Sequence, residues 1–115
     1  LGPGIHEALA RTAELFRVDS ESLDATANEW LDRFCSKNPN GSLTVPVKDL
    51  IQLDGALRSR ALRLLVVSVS GRSPSYVQTQ LMLGLLDQWK GQSPLDLSGA
   101  IVERKGKLIL VSKRL

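Results

Sequence analysis

The chain has 115 residues, 43% of them hydrophobic and 23% charged, with a formal net charge of +3. That is one small domain with enough apolar material for a single core, and its one cysteine, Cys35, excludes an internal disulfide or a structural zinc site and favours a reducing compartment. No apolar run approaches the roughly 20 residues that span a bilayer and no signal peptide is visible, so a cytoplasmic setting without a membrane segment is expected.

The first predicted helix covers about 5–17, where Ile5, Leu9, Thr12, Ala13 and Phe16 share a face. A break follows at Val18-Asp19-Ser20. Asp19 is the candidate N-cap, because its carboxylate can accept from an unpaired first-turn amide. Glu21 and Asp24 then favour the dipole of a second helix over 21–35. Its stripe is Leu23, Ala27, Trp30, Leu31 and Phe34. Trp30 and Phe34 have the chemistry of a base-stacking platform, but their stripe position reads as core packing. Together 1–36 form a helical pair, and 37–45 is a polar, turn-rich linker containing Asn38-Pro39-Asn40-Gly41.

Residues 46–115 then read as the main domain. Leu43-Thr44-Val45 is a short extended piece. Pro46 pushes its predecessor out of helical geometry and can start a helix. Val47 to Leu53 follows as a short helix with Leu50, Ile51 and Leu53 inward. After Asp54-Gly55 comes a helix over 55–70 with two different halves. Leu57, Ala61, Leu64, Leu65 and Ser68 lie on one face. Arg60 and Arg63 flank that stripe on one side and Arg58 on the other. The half from Leu62 to Val69 is apolar nearly all round, which predicts a central, buried element ending at Gly71.

Ser73 and Pro74 predict the start of a fourth long helix over 74–90. Val77, Leu81, Gly84 and Leu85 face one way, broadened by Met82, Leu86 and Trp89. Gly84 suggests a close approach to the central helix, and Lys90-Gly91 is a standard ending. The tail changes period. Ala100–Arg104 and Lys107–Ser112 predict a hairpin turning at Lys105-Gly106. The expected fold is therefore mainly α: a small helical bundle with a C-terminal β-hairpin.

Charge is uneven. Residues 1–54 carry five basic and nine acidic side chains, and 55–115 carry ten basic and three acidic. A basic half beside an acidic one points to a polyanion-binding face. Its candidates are Arg58, Arg60, Arg63, Arg72, Arg104, Lys105 and Lys107. Catalytic chemistry is missing: there is no glycine-rich phosphate loop and no metal-ligand cluster. The one histidine, His6, lies far in sequence from Cys35 and supports no nucleophile.

Several motifs occur together: Leu57-Arg58-Ser59-Arg60-Ala61-Leu62-Arg63, then Gly71 with Pro74-Ser75, then Leu95-Asp96-Leu97-Ser98-Gly99. With Pro3-Gly4-Ile5-His6-Glu7-Ala8-Leu9-Ala10-Arg11-Thr12-Ala13 upstream, they resemble the region after the catalytic domain in tRNA(Ile)-lysidine synthetases, abbreviated TilS or MesJ. The likeness is to the short, actinobacterial-type members and runs to about Val111. It implies a tRNA-recognition segment without catalytic residues. The expected partners are tRNA(Ile) with a CAU anticodon and the catalytic domain of the same chain. ATP and magnesium are implied only for that domain, whose Ser-Gly-Gly-x-Asp-Ser loop is not in this sequence. The start at Leu1 without methionine fits a piece of a longer protein. By the resemblance, Arg60 and Arg63 fall in the arginine-leucine motif and Arg104 at the hairpin arginine. The family usually has Leu-Pro-Gly-Gly where this chain has Leu97-Ser98-Gly99-Ala100, so the turn entering the hairpin is expected to differ. A different class also matches the order of short helix, two longer helices and basic hairpin: a winged-helix DNA-binding module. Against it, the would-be recognition helix offers Gln78, Thr79, Gln80 and Gln88 but only Lys90 as a cation. A helical protein-interaction domain is a third reading.

Overall fold

The computed structural model describes residues 20–114. The helix expected over 5–17, the Asp19 cap and His6 lie outside the described residues. Helix α1 occupies 20–34. It is followed by β1 (Ser36–Lys37), β2 (Leu43–Pro46), α2 (Val47–Gln52), α3 (Gly55–Ser70) and α4 (Tyr76–Asp87). The chain then forms β3 (Leu95–Leu97), β4 (Ala100–Lys105) and β5 (Leu108–Lys113). All five strands join one antiparallel sheet in the order β1-β2-β5-β4-β3. The expectation of a mainly α bundle with an appended hairpin is thus wrong. The hairpin is the middle of a sheet, and the helices cover one face of it.

The sheet's inner face follows from the two-residue period of strands. Leu43 lies opposite Val111, Val111 opposite Val102, and Val102 opposite Leu95. One rank of branched side chains therefore crosses four strands. Val45 beside Ile109, and Ala100 beside Leu97, extend it on either side. These residues meet Ala61, Leu62, Leu65 and Val66 of α3 and Met82, Leu85 and Leu86 of α4 in one core. Each fully buried leucine or valine contributes about 1.5–3 kcal/mol relative to leaving it in water.

Helix α3 is the central element expected. Asp54 caps it by accepting from the amide of Leu57 at 3.0 Å, and Gly71 ends it in the left-handed region at φ 74°. The buried face is rotated from the expected stripe, with Leu62 and Val66 inside and Ser68 exposed. In α4 the difference is larger. Thr79, Met82, Leu85 and Leu86 are buried, while Val77 and Leu81 are exposed. Leucines lie on both faces of α4, so spacing alone could not choose between them. The helix begins after Ser75, not Ser73, through a complete capping box with Gln78. It ends at Asp87, short of Lys90. A Cβ added at Gly84 would meet nothing within 4 Å, so that glycine marks no close approach. In α2, Leu50 is buried but Ile51 points out. The α1 stripe is as expected: Ala27 is buried, with Leu23, Trp30, Leu31 and Phe34 half-buried.

Residues 38–42 form an ordered hairpin loop. Asn40 Oδ1 accepts from the Ser42 amide and hydroxyl, and Asn38 Nδ2 donates to Ser42 Oγ. The β4–β5 loop is Gly106-Lys107, one residue later than expected, with Gly106 at φ 61°. The β3–β4 loop is Ser98-Gly99, at φ 53° and 89°. Positive φ at both central residues is the type I′ pattern, whose twist suits a two-residue hairpin. Proline, fixed near φ −65°, cannot stand at position 98 in this turn. Ser98→Pro is expected to destabilise the fold by at least about 1 kcal/mol, through the mismatched turn and the lost bond from Ser98 Oγ to Gln78 Oε1 at 2.8 Å. A urea titration of wild type and variant checks this, and an unchanged midpoint would refute it.

Candidate nucleic-acid interface

The seven basic residues singled out in the sequence divide by what their charged heads touch. Three are tied into the fold. Arg58 Nη2 donates to the carbonyls of Ile51 and Leu53 at 2.7 and 3.1 Å, and its Nη1 lies 3.5 Å from Asp87. It thus closes the C-terminal end of α2, where carbonyls lack helical partners and a cation is favourable. Arg104 does the same for α4. Its Nη1 donates to the Leu85 carbonyl at 2.9 Å, its Nε to the Gly106 carbonyl at 2.9 Å, and its guanidinium carbon stands 4.3 Å from the Trp89 ring centroid. Arg60 binds Asp24 and Ser20, each at 3.0 Å, and so fastens α1 to α3.

The other four present their heads outward. Arg63 makes one side-chain bond, to Ser73 Oγ at 3.2 Å. Arg72, in the turn from α3 to α4, is exposed. Lys105 and Lys107 are exposed at the β4–β5 tip, and Lys105 lies 3.6 Å from Glu103, a pair of the weak, solvent-screened kind. Arg63 thus projects from the middle of α3 towards Ser73 and Arg72 follows the end of α3, whereas Lys105 and Lys107 occupy the hairpin. Among the described residues no hydrogen bond or ion pair joins the two groups.

Two features escaped the sequence reading. Lys113 and Arg114 line a groove of about 880 Å³ together with Asn40, Gly41, Ser42, Val69, Ile101 and Ser112, and Arg114 pairs with Asp96 at 3.2 Å. Tyr76, the first residue of α4, is 77% exposed. Trp30 and Phe34 instead pack on each other with ring centroids 4.9 Å apart, in keeping with a packing role. No cluster of three or more His, Cys, Asp or Glu side chains suits a metal among the described residues. Burial pushes the Cys35 thiol above its ordinary pKa, which lowers its thiolate fraction.

A family model described as the TilS substrate binding domain matches residues 46–109, from the end of β2 into β5. The chain belongs to that family. Its relatives carry the name tRNA(Ile)-lysidine synthase. The protein from Leifsonia xyli subsp. xyli is 41% identical over 109 residues, covering 95% of this chain and 33% of the relative. Those from Thermobifida fusca and Rhodococcus erythropolis are 38% and 33% identical, covering 93% and 96% of this chain and 32% and 34% of each relative. The chain spans about a third of the length of the curated relatives it matches. Within this TilS domain, Arg58 and Arg104 serve as helix-end ties.

The two classes of cation separate by stability. Arg58→Ala should cost about 1.5–3 kcal/mol, the range for hydrogen bonds to a charged group, whereas Lys105→Ala should stay within about 0.5 kcal/mol. Chemical denaturation of both variants tests this, and equal effects would remove the distinction. Cys35 should be alkylated by iodoacetamide more slowly at pH 7.5 than a free thiol peptide, with the rate still rising above pH 9. An equal rate at pH 7.5 would contradict the raised thiol pKa.

Proposed function

We propose that this chain is the tRNA-recognising segment of a tRNA(Ile)-lysidine synthase, an ATP-dependent ligase that joins lysine to the wobble cytidine of tRNA(Ile) with a CAU anticodon. The observation that carries the reading is the family match over 46–109, supported by relatives of that name across almost the whole chain. ATP and magnesium belong to a catalytic domain of the same polypeptide, and no step of their chemistry falls to residues 20–114.

The chain's own contribution is positioning. Arg63, Arg72, Lys105 and Lys107 offer cations for phosphate oxygens, which set register and supply salt-dependent affinity. Arginine's planar fork suits a phosphate particularly well. Arg58, Arg60 and Arg104 instead tie the helices into the fold. Fixing the tRNA this way raises the effective concentration of its anticodon at the neighbouring active site. The winged-helix reading finds no support in α4. Gln78 is spent on the capping box, and Thr79 is buried with its hydroxyl donating to the Ser75 carbonyl at 2.8 Å. Nothing observed favours a purely protein-binding domain.

In the full-length protein, Arg63→Ala, Arg72→Ala, Lys105→Ala and Lys107→Ala should each flatten the dependence of log affinity for tRNA on log salt by about 0.7–0.9 for every phosphate no longer neutralised. Binding should weaken about equally for cognate and non-cognate tRNA. Filter binding across a salt series measures both. Four unchanged slopes would move the recognition surface elsewhere.

A further inference from the structure

Tyr76 opens α4 at a point where the backbone is held twice. Ser75 Oγ accepts from the Gln78 amide at 3.1 Å, and Gln78 Oε1 accepts from the Ser75 amide at 2.9 Å. Tyr76 itself is left 77% exposed. Beside it is a cleft of about 250 Å³, lined by Ser59, Arg63, Pro74, Tyr76, Thr79 and Gln80. That lies below the roughly 300–1,000 Å³ of drug-sized ligand sites, and suits one flat ring rather than a whole ligand. The lining contains no carboxylate, and Arg63 is its one charged group. The Thr79 hydroxyl proton is committed to the Ser75 carbonyl and that of Ser59 to the Gly55 carbonyl at 3.0 Å, so neither hydroxyl has a proton left to donate to a ligand. Gln80 is exposed, and its amide offers a donor and an acceptor together.

An exposed aromatic face, a cation without an acid in its cleft, and a short set of base-edge partners form the combination that single-stranded RNA recognition uses. We propose that this cleft takes one unpaired nucleobase of the tRNA. The base stacks on Tyr76, and Arg63 holds an adjoining phosphate. The inference rests on the tRNA-recognition reading and adds to it a residue that selects for an unpaired nucleotide rather than for backbone charge. The neighbouring exposed Val77 and Leu81 leave one competing occupant, a face of another protein domain, and charge decides against it here: a cleft whose only ionic group is Arg63 fits a phosphate-bearing ligand.

The experiment uses full-length protein and intact tRNA, with Tyr76→Ala, Tyr76→Phe and a set of tRNAs each made abasic at one unpaired position. Thermal melting first establishes that both variants fold. Tyr76→Ala should weaken binding roughly five- to 150-fold, the range for loss of one aromatic stack, while Tyr76→Phe binds as wild type. At one abasic position the wild-type protein should lose the same factor, and Tyr76→Ala should lose nothing further. Wild-type affinity in Tyr76→Ala would overturn the stacking and leave tRNA recognition standing. A loss that no abasic position absorbs would assign Tyr76 to a protein contact instead. Failure of the wild-type protein to bind tRNA at all would overturn both readings.

Discussion

The pairing of β2 with β5 holds the described chain together. Leu43, Thr44, Val45 and Pro46 lie against Val111, Leu110, Ile109 and Leu108 in antiparallel register. Without that ladder, β1 and β2 would be an isolated two-stranded hairpin, a structure that is marginal in water. With it, Val45 and Ile109 are side by side and the inner face is wide enough for α3 and α4 to lie on. The ladder continues past the strand, since the Val47 amide donates to the Lys107 carbonyl at 2.9 Å. The start of α2 is therefore fixed by the same partner that fixes the sheet, and Arg58 then ties the far end of α2 to α3 and α4.

The helices, the β4–β5 hairpin and the extended piece at Leu43–Val45 were legible in the sequence, and their joining with β1 and β3 into one sheet was not, for a physical reason. Apolar spacing together with the stops at Gly71 and around Asp54-Gly55 locates α1, α3 and α4 to within a few residues, because these signals are local. A strand of two residues such as β1, or of three such as β3, is too short to display alternation. Its existence depends on a neighbour far away in sequence. Leu95-Asp96-Leu97 was visible only as a fragment of a family motif, although its two leucines face the core. The rotated face of α4 has a related cause. Leu81 is as hydrophobic as Leu85 and Leu86, and only the positions of α3, β3 and β4 select which of them are covered.

The candidate site was legible as a quantity of charge but not as a distribution of roles. Counting Arg and Lys treats all seven side chains as equally available. Each α-helix, however, ends in carbonyls without intrahelical partners, and Arg58 and Arg104 are used to meet that demand. Asp24 draws Arg60 inward for a different purpose, joining α1 to the rest. The charge these seven residues leave unengaged is thus smaller and more sharply placed than composition implies. The aromatic that escaped attention, Tyr76, is visible only once the helix start is fixed at Ser75. A start at Pro74 would have placed the same residue inside the first turn with no reason to stand out.

Gln78 Oε1 accepts twice, from the Ser75 amide at the head of α4 and from Ser98 Oγ in the turn between β3 and β4. One oxygen thereby links the edge of the sheet to the head of a helix. A proline at position 98, as in the family's usual Leu-Pro-Gly-Gly, carries no hydroxyl to make that bond. The serine hydroxyl thus adds one polar tie between sheet edge and helix head to the apolar core that already joins the two layers.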